Sequence, residues 1–261
     1  MIRSHYISAT GMMLNRRKME VITNNIVNAE TSGYKRDNLI SQSFDDVMIE
    51  RIHDNAGIRP YNIVSTSRNA GPNVGPLNFG THVDFIDTDF SEGNLETTEL
   101  PTDLAIIGDA FFVLEGPDGP LYSRAGAMTV NADGYLCNPD GYYVQGLNGR
   151  INTGGQDFAV DEAGNITVDG QYVDTLDLAR FPDTGALRKQ GDNLYADPEG
   201  SAETATDSQV RQYTLENSNV DVAQEMVDMM TVYRAYEANQ RMLTMVDETV
   251  GKAVNDIAPL R

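Results

Sequence analysis

Three histidines, a single cysteine and a surplus of carboxylates are the side chains of this 261-residue chain with the means to do chemistry. His5, His53 and His82 stand far apart and share no metal-ligand spacing. With 39 Asp and Glu, acid pairs suited to hydrolysis can arise, yet nothing marks one pair as special. Neither a phosphate-cradling glycine loop nor a nucleophile elbow occurs. The turns Asp133-Gly134 and Asp140-Gly141, with Asn138 between them, do not follow the calcium-loop pattern with its closing Glu. Turn chemistry accounts for them, because Asp and Gly accept positive φ. Cys137, between Leu136 and Asn138, has no intrachain partner, which excludes a disulfide scaffold and a cysteine zinc finger. It reads as a buried structural thiol in a hairpin. No catalytic, cofactor-binding or metal-binding constellation is expected, and the chain reads as a non-enzyme.

The elements that would position any site divide sharply. Residues 2–31 contain no Pro and one Gly, Gly11; residues 219–258 contain no Pro and one Gly, Gly251. Both read as helices. In the second, steps of four and three pick out Val222, Met226, Met229, Tyr233, Tyr236, Gln240, Leu243, Asp247, Val250, Val254 and Ile257. All but Gln240 and Asp247 are apolar, the pattern of a coiled-coil seam. A second strip, Ala223, Val227, Met230, Val246 and Ala253, makes the helix apolar over more than one partner would cover. Asn219 or Ser218 is the expected N-cap, with Asp221 in the first turn and Pro259 past the end. The first helix carries Ile2, Tyr6, Ala9 and Met13 on one face, then Met19, Ile22, Ile26 and Ala29, with Gly33 as its stop. Asn24, Asn25 and Asn28 are poor helix formers near its end. Either their amides bond a neighbouring backbone or helix, or the helix frays there.

The middle reads as antiparallel strands. A short helix over Gln42 to Ile52 and a Gly-, Pro- and Asn-rich run over 55–80 precede it. Leu104–Ile107 and Phe111–Leu114 flank Gly108-Asp109, a hairpin signal. Tyr122–Val130, Tyr135–Cys137, Tyr142–Gln145, Phe158–Val160, Ile166–Val168, Tyr172–Leu178 and Leu194–Ala196 complete the series, at the spacing of a sandwich or barrel. The fold class is therefore mainly β with terminal α-helices: an antiparallel β-sandwich or barrel-like domain bracketed by coiled-coil-forming helices. The expected division is 1–36 (N-terminal helix), 37–80 (extended connector), 81–213 (β domain) and 214–261 (C-terminal helix).

Charge is uneven. Residues 1–36 hold six Lys and Arg against two acids, a net +4; the rest holds 13 basic and 37 acidic side chains, a net -24. A body this acidic repels nucleic acid. The basic arm either docks on a neighbouring subunit or is a solvated helix face. No apolar run approaches the ~18 residues of a spanning helix, so no direct membrane insertion is expected. Residues 1–11 lack the apolar core and cleavage site of a Sec signal peptide. Acids along the second helix (Glu225, Asp228, Glu237, Asp247, Glu248) favour a protein partner over anionic lipid. Exposed tyrosines such as Tyr142, Tyr143 and Tyr172 leave a second class open, a module binding cell-wall polymer or protein and oligomerised by its helices.

Several runs resemble a known family. Asn24-Asn25-Ile26-Val27-Asn28-Ala29-Glu30-Thr31-Ser32-Gly33-Tyr34-Lys35-Arg36, with Ser8-Ala9-Thr10-Gly11-Met12 before it, resembles the N-terminal signature of bacterial flagellar rod and hook proteins. Asp103 to Val113, Tyr122-Ser123-Arg124-Ala125-Gly126, Asp133-Gly134-Tyr135-Leu136, Leu178-Ala179-Arg180-Phe181 and Gly191-Asp192-Asn193-Leu194-Tyr195 are similar to its mid-chain motifs, in order. Leu215-Glu216-Asn217-Ser218-Asn219-Val220-Asp221, Glu225-Met226-Val227 and Arg234-Ala235-Tyr236-Glu237-Ala238-Asn239 are similar to its C-terminal signature. Ala110, where a Gly is usual, and Thr98-Glu99-Leu100-Pro101, in place of a Thr-Gly turn, depart from the pattern. The length resembles the distal-rod and proximal-rod members.

The resemblance implies a structural subunit of the flagellar basal-body rod, exported by the flagellar type III apparatus. Its partners would be copies of itself, other axial rod and hook proteins, the export apparatus, and bushing or ring proteins. It implies an inner coiled-coil layer of terminal helices inside an outer β layer. The subunit-interface residues would then be Ile2, Tyr6, Met13 and Ile22, then Asn24, Asn25, Ile26 and Asn28, and on the second helix Val222, Met226, Met229, Tyr233, Tyr236, Leu243, Val250 and Val254. A lone subunit is expected to leave these helices disordered or loosely paired until neighbours cover them.

Overall fold

The computed structural model describes residues 3–50, 73–117, 119–205 and 207–253. Helix α1 spans Arg3–Val27 and helix α2 spans Val222–Lys252; between them, among the described residues, run strands, turns and one 3-10 turn at Thr184–Ala186. Ile2, His53, Val254, Ile257 and Pro259 lie outside the described residues, as does most of the run 55–80.

The chain forms two compact units: Met1–Val21 with Leu39–Ile86 and Asp228–Arg261, and Ile22–Asn38 with Asp87–Val227. In the second unit, the strand Ala110–Glu115 is the hub of a ten-stranded sheet. It pairs antiparallel with Pro120–Ser123, Tyr143–Gly146 and Leu178–Arg180. Successive side chains of a strand point to opposite faces. Phe112 and Leu114 therefore join Leu104, Leu136, Val144 and Ile166 in one core, while Phe111 and Val113 join Tyr122, Phe181 and Tyr195 in another. Burial on both faces explains why Ala110–Leu114 is an unbroken apolar run. A separate meander, Phe158–Val160, Asn165–Val168 and Gln171–Thr175, adds three antiparallel strands.

Among the described residues the sheets are open, with free end strands, and no barrel is closed. The Gly108-Asp109 hairpin does not form: Leu104–Ile107 pairs with Gln209–Gln212, whereas the strand after the turn pairs elsewhere. Tyr122–Val130 is not one strand either. It breaks after Ser123 because Arg124 is buried and Gly126 carbonyl accepts the Leu104 N–H at 3.0 Å. Tyr172–Leu178 divides into Gln171–Thr175 and Leu178–Arg180.

Local turn chemistry is as the sequence predicts. Asn131 Oδ1 accepts the Asp133 and Tyr135 amides, with Gly134 at φ 82°, and Asn138 Oδ1 accepts the Tyr142 amide, with Gly141 at φ 92°. Cys137 is buried and its sulfur lies 3.4 Å from Thr129 Oγ1.

In the first unit, Val47–Glu50 is a strand paired with Asn73–Leu77, so the expected helix over Gln42 to Ile52 is absent from its described part. Phe44 stacks on His82 (4.9 Å between ring centroids) and faces Tyr6 of α1 at 6.3 Å. Two contacts fix α1 and α2 as antiparallel there. His5 Nε2 lies 3.0 Å from Asp247 Oδ1, and Gly11 lies so close to Asn239 that a β-carbon would sit 2.8 Å from its amide nitrogen.

Candidate functional site

The covered side of α2 follows a strict three-four spacing. Val222, Met229, Tyr236, Leu243 and Val250, all members of the sequence seam, are half-buried. The alternate positions differ: Glu225, Val232, Asn239 and Val246 turn inward, while Met226, Tyr233, Gln240 and Asp247 are exposed. The seam is displaced by one residue at every second position. Glu225 pairs inside with Arg36 and Asn25, so its burial is tolerated, and Asn239 lies against Gly11, whose missing side chain leaves it room; the more apolar Met226 and Tyr233 are left outside. Tyr6 and Met13 on α1 are 41% and 67% exposed; Met226 and Tyr233 on α2 are 50% and 53% exposed. Met230, Met242 and Met245 are exposed beside them. Ile22, Ile26 and Asn28 are half-buried, Asn24 is exposed, and Asn25 is buried.

The amides near the end of α1 are bonded, not frayed. Asn25 Oδ1 accepts the Asp37 N–H at 3.0 Å and its Nδ2 donates to the Asp37 carbonyl at 2.9 Å, pairing with that backbone as a strand would. Tyr34 Oη donates to Asn25 Oδ1 at 3.1 Å. Asn28 Nδ2 donates to the Asn24 carbonyl at 2.9 Å, closing the helix at Val27, short of Gly33. Gly33 has another duty. It sits at φ 64°, its N–H donates to the Glu216 carbonyl at 2.7 Å, and a β-carbon would lie 2.4 Å from the Arg124–Ala125 backbone.

Around Gly33 converges an ionic junction that the sequence did not announce. Lys35 pairs with Glu216 and donates to the Ser91 carbonyl at 2.7 Å. Glu216 also accepts the Gly93 N–H at 2.9 Å and faces Arg124 Nη1 at 3.4 Å. Arg36 Nε lies 2.7 Å from Glu225 Oε1 as an ion pair without hydrogen-bond alignment, and Asn25 Nδ2 reaches the other Glu225 oxygen at 3.4 Å. Asn219 does not cap α2. Its Oδ1 accepts the Arg36 N–H and its Nδ2 donates to the Asp89 carbonyl, while Asp221 caps the helix by accepting the Ala223 and Gln224 amides. Lys189 closes the rim, 2.8 Å from Asp37 Oδ1 and over the Tyr34 ring.

Lys35, Arg124, Glu216 and Glu225 are all buried. Burial pushes the Lys35 ammonium below its ordinary pKa, with Glu216 opposing. Burial, reinforced by Asp37 and Glu225, pushes the Tyr34 phenol well up. The Ser91 N–H holds the Asp89 carboxyl below the usual range. The arrangement has no nucleophile beside a base; it joins three distant stretches of chain, 24–37, 124 and 216–225. Of the basic N-terminal residues, Lys35 and Arg36 are engaged within the chain, and Arg16 and Arg17 face Glu20 on an exposed helix side.

The tyrosines considered for sugar stacking are partly engaged. Arg150 covers the Tyr143 ring at 4.3 Å, Tyr142 packs on the core, and Tyr172 shares a hydrogen bond with Thr175. No helix described is long and apolar enough to cross a membrane.

Comparison with known proteins matches the junction's segments one by one. Residues 6–35 match the family model "Flagella basal body rod protein", residues 105–168 match "Flagellar hook protein FlgE/F/G D1 domain", and residues 211–256 match "Flagellar basal body rod FlgEFG protein C-terminal". The chain is 35% identical to the flagellar basal-body rod protein FlgG of Agrobacterium fabrum, over 95% of this chain and 96% of that one. Two Bacillus subtilis proteins are similarly related: FlgG at 29% identity (98% and 99% covered) and the flagellar hook-basal body complex protein FlhO at 28% (100% and 100%). With its helix signatures, its β motifs and nearly its whole length matched in order, the chain belongs to the flagellar rod and hook-basal body family and is a structural subunit of the bacterial flagellar basal-body rod.

Proposed function

We propose that the subunit polymerises into a helical tube by burying the outward faces of its terminal helices, Tyr6 and Met13 on α1 and Met226, Tyr233, Met242 and Met245 on α2, against neighbouring axial subunits. One observation carries this reading: Tyr6, Met13, Met226, Tyr233, Met242 and Met245 are large apolar side chains left exposed on the outer sides of the two helices. Asn25, Glu225 and Asn239 face inward, while large apolar side chains face water. Such a surface is an interaction face on general grounds. Neighbours would complete a coiled-coil layer, with residues 1–36 and 214–261 as the inner domain, 37–80 as connector, and 81–213 as an outer β-sandwich body. Copies of the chain and other rod and hook proteins are the partners; the export apparatus and the ring proteins would handle the subunit on its way out.

The double variant Met226→Lys/Tyr233→Asp tests it. Circular dichroism of the purified protein is expected to match the parent, while flagellated cells carrying it stop swimming and lose the subunit from isolated basal bodies. Normal swimming would sink the proposal.

A further inference from the structure

Two buried cations share one buried carboxylate. Lys35 and Arg124, 0% and 2% exposed, both turn to Glu216. Arg124 is the more loosely held. Its Nη2 donates to the Gly108 carbonyl at 2.6 Å, its Nη1 is 3.4 Å from Glu216, and its buried Nε–H has no acceptor. The next carboxylate, Glu92, is exposed, and one of its oxygens is taken by the Gly108 N–H. Two cations on one carboxylate and an unmet N–H both leave Arg124 under-satisfied until a further acceptor arrives.

Arg124 lines a cavity of about 390 Å³ whose walls include Phe90, Phe111 and Phe181 and which Arg180 also lines. The Arg180 side chain is exposed and has no hydrogen bond or ion pair among the described residues. Asp109, also exposed, is the one acid among the lining residues. Aromatic walls lower the local dielectric and strengthen any charge pair formed inside. Guanidinium forks match carboxylates in shape as well as charge.

We propose that this cavity receives an Asp or Glu side chain from a second copy of the chain, seated between Arg124 and Arg180. The inference rests on the reading of the chain as a subunit that packs against its own copies. Charge complementarity favours a copy as donor, since residues 37–261 carry 37 acids against 13 bases and the recess is a cationic spot on an acidic body. Donor and recess are different surfaces, so the contact can repeat head-to-tail along an assembly.

A photo-crosslinking residue placed at Thr184, on the cavity wall, tests this in full-length protein recovered from isolated basal bodies. The expected result is a crosslink to an acid-bearing peptide of a second copy. Arg180→Glu should cut that yield by about tenfold, with Arg180→Lys in between, while thermal unfolding of both purified variants stays at the parent temperature. Basal bodies that contain the subunit but yield no Thr184 crosslink would overturn the inference alone. So would a crosslink only to a different axial protein, or one indifferent to Arg180→Glu. Absence of the unsubstituted subunit from basal bodies would overturn the packing reading beneath it as well.

Discussion

Glu216 is the residue on which the junction turns, because two buried cations and the Gly33 and Gly93 N–H groups address its oxygens. Removing one member of a buried ion pair leaves its partner uncompensated, a loss of about 3–5 kcal/mol. Glu216→Gln strands both Lys35 and Arg124, whereas Lys35→Met leaves Glu216 with Arg124. Urea unfolding should therefore rank Glu216→Gln as the more destabilised, with Lys35→Met closer to the parent. Equal losses would mean that Arg124 takes little from the carboxylate. Gly33→Ala joins a strained φ to a clash with fixed backbone, and should cost more than the ~1 kcal/mol of a simple glycine replacement. Asp89 gives a pH signature. Its folded carboxyl is held low by the Ser91 N–H, so the stability it contributes is complete above its unfolded pKa and is lost as pH falls through the folded value. Below about pH 4 the melting temperature should fall less steeply in Asp89→Asn than in the parent. Asp177, pushed up by burial, has the opposite sign and gains stability as it protonates.

Helix α2 offers two neighbouring positions with opposite duties. Val232 is half-buried on the covered side and Tyr233 is exposed. Val232→Asp should lower the helical circular dichroism and melting temperature of the monomer. Tyr233→Asp should leave both unchanged and abolish rod assembly. Reversed outcomes would restore the seam that apolarity alone suggests. That seam shows where sequence reading reaches its limit. The sevenfold positions Val222, Met229, Tyr236, Leu243 and Val250 were legible because period and polarity agree there. At 225 and 239 they conflict, and only what each meets in the fold decides: Arg36 for Glu225, and the bare Gly11 for Asn239. Asp133-Gly134 and Asp140-Gly141 were legible because a turn is settled by adjacent residues. The Gly108-Asp109 hairpin was not, because a strand's best partner can lie far along the chain, as Gln209–Gln212 does for Leu104–Ile107. The same distance hid the junction: Lys35 and Glu216 are 181 positions apart, and Asn25 and Glu225 are 200 apart.

At the scale of the whole chain, family membership was legible because many short signatures recur in order, each weak and all together specific. What those signatures do was not. Parts of three of them meet at one junction, where residues 24–37, Arg124 and residues 216–225 bond to one another. The net charge of -20 adds a molecule-wide lever. Copies of so acidic a body repel one another at long range, and salt screens that repulsion within roughly 8–10 Å near physiological ionic strength. Self-association of the purified subunit should therefore rise from low to moderate salt in sedimentation runs. A monotonic fall would mean that local attraction governs association instead.

The counterion for Lys35 and Arg124 lies 181 and 92 positions after them in the chain. A product ending before residue 216 holds two stranded cations in its interior and cannot seat the turn at Gly33. Chains cut short of Glu216 should therefore be more open to proteases than the whole chain, and without α2 they lack its exposed Met226, Met230, Met242 and Met245. An early segment thus stays unsettled until one far along the chain supplies the opposite charge.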